Sequence, residues 1–262
     1  MVEPGAGHLD SSDPIIVMGY PYSGAALIQQ LLSAGTTLAC TQGTGIIPLC
    51  AIAAETWQRL EGQPGRPASP LAIASVRRLV TTQVTTLLAA GGQGRWCELA
   101  TVSPDAAAPF LQVFPGATFI CVHRASTSVI RAGVQASPWG LQGQIARSYL
   151  TSYPGNSVAA LAAHWADATR SLLAFEAANP RASHRVRYED VMTDPDRALA
   201  PVMTSLALRR AAGDGGLGRP EPPGQDPQAA AEDKVPAEMI PEPLLDSIGA
   251  LHAELGYPPP GA

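Results

Sequence analysis

Gly19-Tyr20-Pro21-Tyr22-Ser23-Gly24 joins an apolar run, Ile15 to Met18, to a stretch whose apolar residues Leu27, Ile28, Leu31 and Leu32 recur at helical spacing. A short continuous apolar run suits a strand buried on both faces of a parallel sheet. The unit reads strand, tight glycine loop, helix, and its chemistry is that of an anion site. At a helix start the first N–H groups lack intrahelical partners and the helix dipole turns its positive end the same way, so the natural guest is a phosphate. Gly19 and Gly24 have the separation of the nucleoside-triphosphatase loop, but Ala25 and Ala26 stand where that loop carries Lys and then Ser or Thr. Without the cation and the magnesium-binding hydroxyl, a magnesium-dependent kinase or ATPase is a poor match. A bare structural role, two glycines turning a strand into a helix, stays open.

Two further side chains have acid–base chemistry at the ends of apolar runs. Glu98 closes Arg95-Trp96-Cys97-Glu98-Leu99 and can serve as a general base if burial raises its pKa, or can pair with an arginine. His123 follows the strand Ala117 to Val122 and can act as a base near neutral pH, or can face the far side of the sheet, because successive strand residues point oppositely. His164, on the long helix discussed below, reads as a packing or surface residue.

The elements that must hold these groups are legible in order. Gly35 to Gly45 reads as a polar loop, and Ile47 to Leu60 as a helix with Pro48 in its first turn. Ser69-Pro70 opens a helix with Leu71, Ile73, Val76, Leu79, Val80, Val84, Leu87 and Leu88 on its inner side, ended by Gly91-Gly92. Ser103-Pro104-Asp105 starts another, to about Val113. Ser126 to Gln135 is helical, Ala136 to Pro154 irregular or partly helical, and Asn156 to Asn179 a long helix with Trp165 as a core anchor. Arg185 to Val191 combines the last strand with a turn, Asp194-Pro195 opens a helix, and Leu244 to Leu255 is the final one. Alternating strands and helices with apolar strands predict a single α/β domain built on a parallel sheet flanked by helices. The domain spans 14–262, after a flexible tail at 1–13, with a flexible Gly- and Pro-rich loop at 211–236.

Composition narrows the function. The net charge of −5 and the scarcity of basic residues argue against a nucleic-acid surface. Lys234 is the only lysine, so a mechanism needing one near the first loop must recruit it or do without. Cys40, Cys50, Cys97 and Cys121 lack metal-type spacing, so no metal is expected. Met1 to Asp13 does not read as a secretory signal, and Ile46 to Ala54, the longest strongly apolar stretch, is too short to span a bilayer. The expected protein is soluble and cytoplasmic, with no membrane partner.

Four separated pieces share one likeness: Tyr20-Pro21-Tyr22-Ser23-Gly24 with its strand, Trp96-Cys97-Glu98, Phe114-Pro115-Gly116 through His123-Arg124, and Val186-Arg187-Tyr188-Glu189-Asp190. In order, over nearly the whole chain, they resemble the sulfotransferases that use 3′-phosphoadenosine 5′-phosphosulfate. The closing Glu254-Leu255-Gly256-Tyr257 is similar to the end of many bacterial members. The resemblance implies a P-loop-type parallel α/β core. It also implies transfer of a sulfuryl group from that donor to a hydroxyl or amine of a small-molecule acceptor, with specialised metabolism the expected setting. Ser23 and Gly24 match the loop that binds the 5′-phosphosulfate; Ala25 and Ala26 stand where the family has Thr or Ser after the glycine, and offer an anion only their backbone amides. Arg124 matches the arginine on the 3′-phosphate, where a guanidinium makes paired hydrogen bonds, and Arg131, two helical turns on, can add charge there. A homodimer is compatible with the resemblance.

The chain departs from the family pattern at several points. Tyr22 replaces the Lys or Arg between proline and serine, Leu99 replaces a lysine of the second motif, and Ala132 and Thr127 replace a serine and an arginine near the 3′-phosphate. The basic C-terminal phosphate loop has no clear counterpart between Arg209 and Lys234. Losing one electrostatic stabiliser of a transition state costs roughly 2–4 kcal/mol, about a hundredfold or more in rate. Tyr22 can stack on a ligand, donate its hydroxyl in place of the cation, or plug the donor site. Three readings follow: a sulfotransferase with an atypical donor site, a donor-independent enzyme performing cyclisation, dehydration or isomerisation through Tyr22, Glu98 or His123, and a non-catalytic binding homologue.

Overall fold

The computed structural model describes residues 13–62, 68–89, 94–100, 106–136, 144–208, 217 and 237–260. Its centre is β1 (Ile15–Met18), whose four residues are all buried. Parallel neighbours flank it on both sides, β3 (Arg95–Ala100) through Ile15 opposite Cys97 and β4 (Thr118–His123) through Ile15 opposite Thr118. With β2 (Leu38–Gln42) outside β3 and β5 (Ser183–Arg187) outside β4, the sheet has the order β2-β3-β1-β4-β5, all parallel.

Because successive strand residues point to opposite faces, β1 feeds two cores. Ile16 and Met18 pack with α2 (Ile46–Leu60), α3 (Pro70–Ala89), α4 (Ala107–Val113), α5 (Ser126–Ala136), α7 (Ser157–Ala178) and α10 (Glu242–Leu255). Ile15 and Val17 pack on the other face with α1 (Ala25–Gly35), α8 (Tyr188–Thr193) and α9 (Pro195–Ser205). A further helix, α6 (Gln144–Ser152), lies in the stretch expected to be irregular or partly helical.

Caps explain several helix starts. The Asn156 side chain accepts from Ala159 N–H, Asp194 from Arg197 N–H, and Ser69 Oγ from Ala72 N–H, each satisfying a first-turn donor.

Three expectations need correction. Gly35 to Gly45 is not simply a loop, since it contains β2. This is an edge strand with only one paired neighbour, so it carries polar residues that resemble a loop in sequence. On α3 the buried stripe is Ala72, Val76, Val80, Val84 and Leu88, whereas Leu71 is 67% exposed and Leu79 and Leu87 are also exposed. A 20-residue helix with more apolar residues than one stripe can hold leaves some in solvent. The turn expected after β5 is helix α8, which Tyr188 begins. The tail at 1–12, Gly91-Gly92, the helix start at Ser103-Pro104-Asp105 and nearly all of 211–236 lie outside the described residues. Among the described helices none is long and apolar enough to cross a membrane.

Candidate anion site

From β1 the chain goes to strands on one side of the sheet, and only later crosses to β4 on the other. The carboxyl ends of β1 and β4, side by side at this reversal, form the crevice where open α/β sheets take ligands. The glycine loop leaves β1 there, and Arg124 leaves β4.

The loop is fastened at its base by Gly19 N–H donating to the Ala100 carbonyl (3.3 Å) and closed by Ser23 N–H donating to the Tyr20 carbonyl (3.0 Å). Tyr22 at φ 68° and Gly24 at φ 88° are both left-handed, which for tyrosine is a strained conformation that the surroundings must hold. Ser23 is fully buried, its Oγ in the space a side chain on Gly19 would fill, and among the described residues that hydroxyl has no hydrogen-bond partner. Gly24 caps α1 without any side-chain acceptor for the first-turn amides, and that turn carries no acidic residue.

Arg124 turns toward this loop. Its Nη1 donates to the Tyr22 carbonyl (2.8 Å), its guanidinium lies 4.2 Å from the Tyr188 ring centre, and its buried Nε has no partner among the described residues. Its backbone is clamped as well. The Tyr20 hydroxyl donates to the Arg124 carbonyl (3.1 Å) and accepts from the Arg124 N–H (3.2 Å), while Trp165 Nε1 donates to the same carbonyl (2.9 Å). Burial pushes the Tyr20 phenol up to about 12, so it remains a donor.

Tyr188 is the wall between loop and arginine. A Cβ on Gly24 would come within 2.2 Å of its ring. Gly24→Ala therefore combines a left-handed backbone with a ring clash, and urea melts should show a loss of about 2 kcal/mol or more; a loss under ~0.5 kcal/mol would mean that Tyr188 yields freely.

The second helix start at this edge is already answered. Ala125 N–H donates to Glu189 (2.9 Å), and Ser126 N–H donates to His252 Nε2 (3.3 Å), with the Ser126 hydroxyl 2.8 Å from the same nitrogen. His252 Nδ1 lies 2.6 Å from the Pro258 carbonyl, which can only accept, so Nδ1 carries the proton. Burial holds His252 below its ordinary 6.5, against the pull of Pro258 and Glu189. The sign follows: below about pH 6.5 the unfolded chain takes up a proton that the folded chain resists. This contribution is whole above that pH and is lost as pH falls through the lower, folded value. His252→Gln should flatten the fall in stability between about pH 7.5 and 5.5; an unchanged slope would contradict the assignment.

The remaining sequence candidates are used elsewhere. Glu98 is buried and accepts from Thr41 Oγ1, from Thr44 Oγ1 (2.7 Å) and from Thr44 N–H (3.1 Å), with Trp96 Nε1 donating to Thr41 Oγ1 (2.8 Å). Its partners are threonines, so neither of the two alternatives left open, a general base or an arginine pair, describes it; they fix the segment leading into α2. His123 is fully buried, its Nε2 2.7 Å from Glu176 on α7, and Glu176 also accepts from Arg185 (2.7 Å). The Tyr22 ring packs over Gly133 of α5, where a Cβ would meet it at 3.2 Å. Ala25 is buried and Ala26 exposed at the start of α1, and Arg131 is half-buried on α5. Among the described residues no cluster of His, Cys, Asp and Glu could hold a metal ion.

Tyr20, Tyr188 and Trp165 were not among the site residues expected from sequence. Tyr20 and Tyr188 do lie within the quoted motifs, so position was a signal, but the partner that each tyrosine meets is visible only in three dimensions.

A sulfotransferase family model matches residues 14–211. No curated protein sequence matches. Among solved structures the chain is similar to the sulfotransferase domain from the curacin biosynthetic pathway, at 17% identity and TM-score 0.59 over 94% of this chain and 98% of that one. It is equally similar to the sulfotransferase domain of the Synechococcus PCC 7002 olefin synthase, at 15% identity and TM-score 0.59 over 96% and 97%. A sulfotransferase from Mycobacterium avium follows at 11% identity and TM-score 0.55 over 95% and 78%. At these identities the likeness speaks for the fold, and the family match supplies the rest: the chain belongs to the sulfotransferase family.

Proposed function

We propose that this chain binds 3′-phosphoadenosine 5′-phosphosulfate at the β1–α1 loop and transfers its sulfuryl group to a small-molecule acceptor. The observation that carries the reading is the fully buried hydroxyl of Ser23, unpartnered among the described residues, beside the first turn of α1, which Gly24 caps with no side chain. A buried hydroxyl without a partner costs stability and persists where a ligand satisfies it. Ser23 and the amides of Gly24, Ala25 and Ala26 would hold the 5′ group; Arg124, with its free Nε, and Arg131 would attend the 3′-phosphate. When bound, the nucleotide supplies an activated sulfuryl group. With Tyr22 in the cation's place, peptide amides and one hydroxyl carry the neutralisation of charge, so turnover should be about a hundredfold or more below that of a loop bearing lysine. The names of two structural relatives, a curacin-pathway domain and an olefin-synthase domain, favour an acceptor of specialised metabolism.

Donor-independent chemistry has less support, because the Glu98 carboxylate and the His123 ring are bonded to Thr41, Thr44 and Glu176. The test is calorimetric titration with 3′-phosphoadenosine 5′-phosphate. Saturable binding is expected, with about 2.7 kcal/mol of stabilisation at a hundredfold excess over Kd. The absence of both binding heat and a shift in Tm would overturn the reading.

A further inference from the structure

We propose that Cys40 and Cys97 form a redox-active dithiol that a hydroperoxide converts to a cross-strand disulfide between β2 and β3. The two residues are direct register partners on adjacent parallel strands, and both side chains belong to the core on the α1 side of the sheet. Adjacent strands run about 4.8 Å apart. That spacing lies within the Cα separation of about 4.4–6.8 Å that a disulfide tolerates. Gln29 of α1 keeps the spacing fixed, since its side-chain amide donates both to the Thr41 carbonyl (2.8 Å) and to the Cys97 carbonyl (3.2 Å).

The two thiols have different surroundings, as attacking and resolving cysteines require. Cys40 is half-buried on the edge strand, whereas Cys97 is fully buried beneath it. The Cys97 thiol, with help from Ser33 and against burial, draws the Cys40 thiol down, which favours its thiolate. Cys97 is pushed up by Cys40 and by burial. Cys50 and Cys121 are buried and held protonated by that burial, which leaves them inert.

The chemistry balances. The Cys40 thiolate attacks one oxygen of hydrogen peroxide, the O–O bond breaks, and the departing hydroxide takes a proton to become water, leaving a sulfenic acid on Cys40. With the thiolate gone, its upward pull on Cys97 is gone too. Cys97 then loses its proton and attacks the Cys40 sulfur, the S–S bond forms, and the hydroxyl leaves as a second water. Two thiols and one peroxide give one disulfide and two waters. The new bond ties the edge strand to the sheet next to Thr41, which donates to Glu98, and closes a covalent loop around α2 and α3. Oxidation should therefore raise Tm by several degrees, reversibly.

The test uses the full native chain. After brief exposure to hydrogen peroxide and removal of the excess, the protein is unfolded, alkylated and mapped by mass spectrometry. Two of the four cysteines should be protected, a phosphine reductant should restore them, and one linked peptide pair should contain Cys40 and Cys97. Cys97→Ser should accumulate a dimedone-reactive sulfenic acid at Cys40, whereas Cys40→Ser should leave its remaining thiols free. Full alkylation after peroxide, any other pairing, a link between chains, or progression of Cys40 to sulfinic or sulfonic acid would overturn the proposal.

Discussion

Ser23→Ala is expected to make the protein more heat-stable and, in the same variant, to weaken binding of 3′-phosphoadenosine 5′-phosphate by roughly tenfold or more. The two effects have one cause. In the free protein the Ser23 hydroxyl is buried against Gly19 with nothing to bond, so removing it relieves a desolvation penalty of about 1 kcal/mol. In the nucleotide complex the same hydroxyl would donate to a charged oxygen, an interaction of roughly 1.5–3 kcal/mol, which corresponds to about a ten- to hundredfold change in Kd. A serine with only a packing role would show neither change, and one with a structural hydrogen bond would show the opposite change in Tm. Scanning calorimetry and titration on the same preparation separate these cases.

Glu176→Ala should give the largest loss of stability of any polar substitution considered, roughly 3 kcal/mol, or about 6–12 °C in Tm for a chain of this size. Glu176 on α7 joins the fully buried His123 of β4 to Arg185 of β5, so its loss leaves an imidazole N–H without an acceptor in the core. Among the described residues the His123 Nδ1 already lacks a partner. Arg185 is 41% exposed and recovers water, which is why the cost sits mostly on His123. Arg185→Gln should accordingly cost less than about half as much. If Glu176→Ala loses under ~1 kcal/mol, or if it abolishes nucleotide binding without unfolding the protein, the structural role given to this network is wrong.

The central strand, the glycine loop and α1 could be read from sequence because local patterns dictate them: an apolar run, two glycines and helical periodicity. The long helix to Asn179 was legible for the same reason, with Asn156 and Asn179-Pro180 marking its ends. The edge strand β2 was not, because a strand paired on one side needs little apolar sequence. The exposure of Leu71, Leu79 and Leu87 was equally hidden, since periodicity names more apolar positions than the neighbours cover. At the site, Arg124 was singled out in the sequence, and the clamp that orients it toward the loop was not. Tyr20, Trp165 and Tyr188 come from three distant segments, and an ordinary aromatic core residue has the same local sequence signature. His123 and Glu98 show the reverse case. Their residue types invited catalysis, and their partners, Glu176, Thr41 and Thr44, lie too far along the chain for spacing to reveal.

The most direct measurement is a crystal structure of the chain grown with 3′-phosphoadenosine 5′-phosphate. The complex should show 5′-phosphate oxygens within about 2.7–3.2 Å of Ser23 Oγ and of the first amides of α1, with the Arg124 guanidinium on the 3′-phosphate. A nucleotide bound elsewhere, or a loop that stays unoccupied at saturating nucleotide while Arg124 holds only the Tyr22 carbonyl, would contradict it.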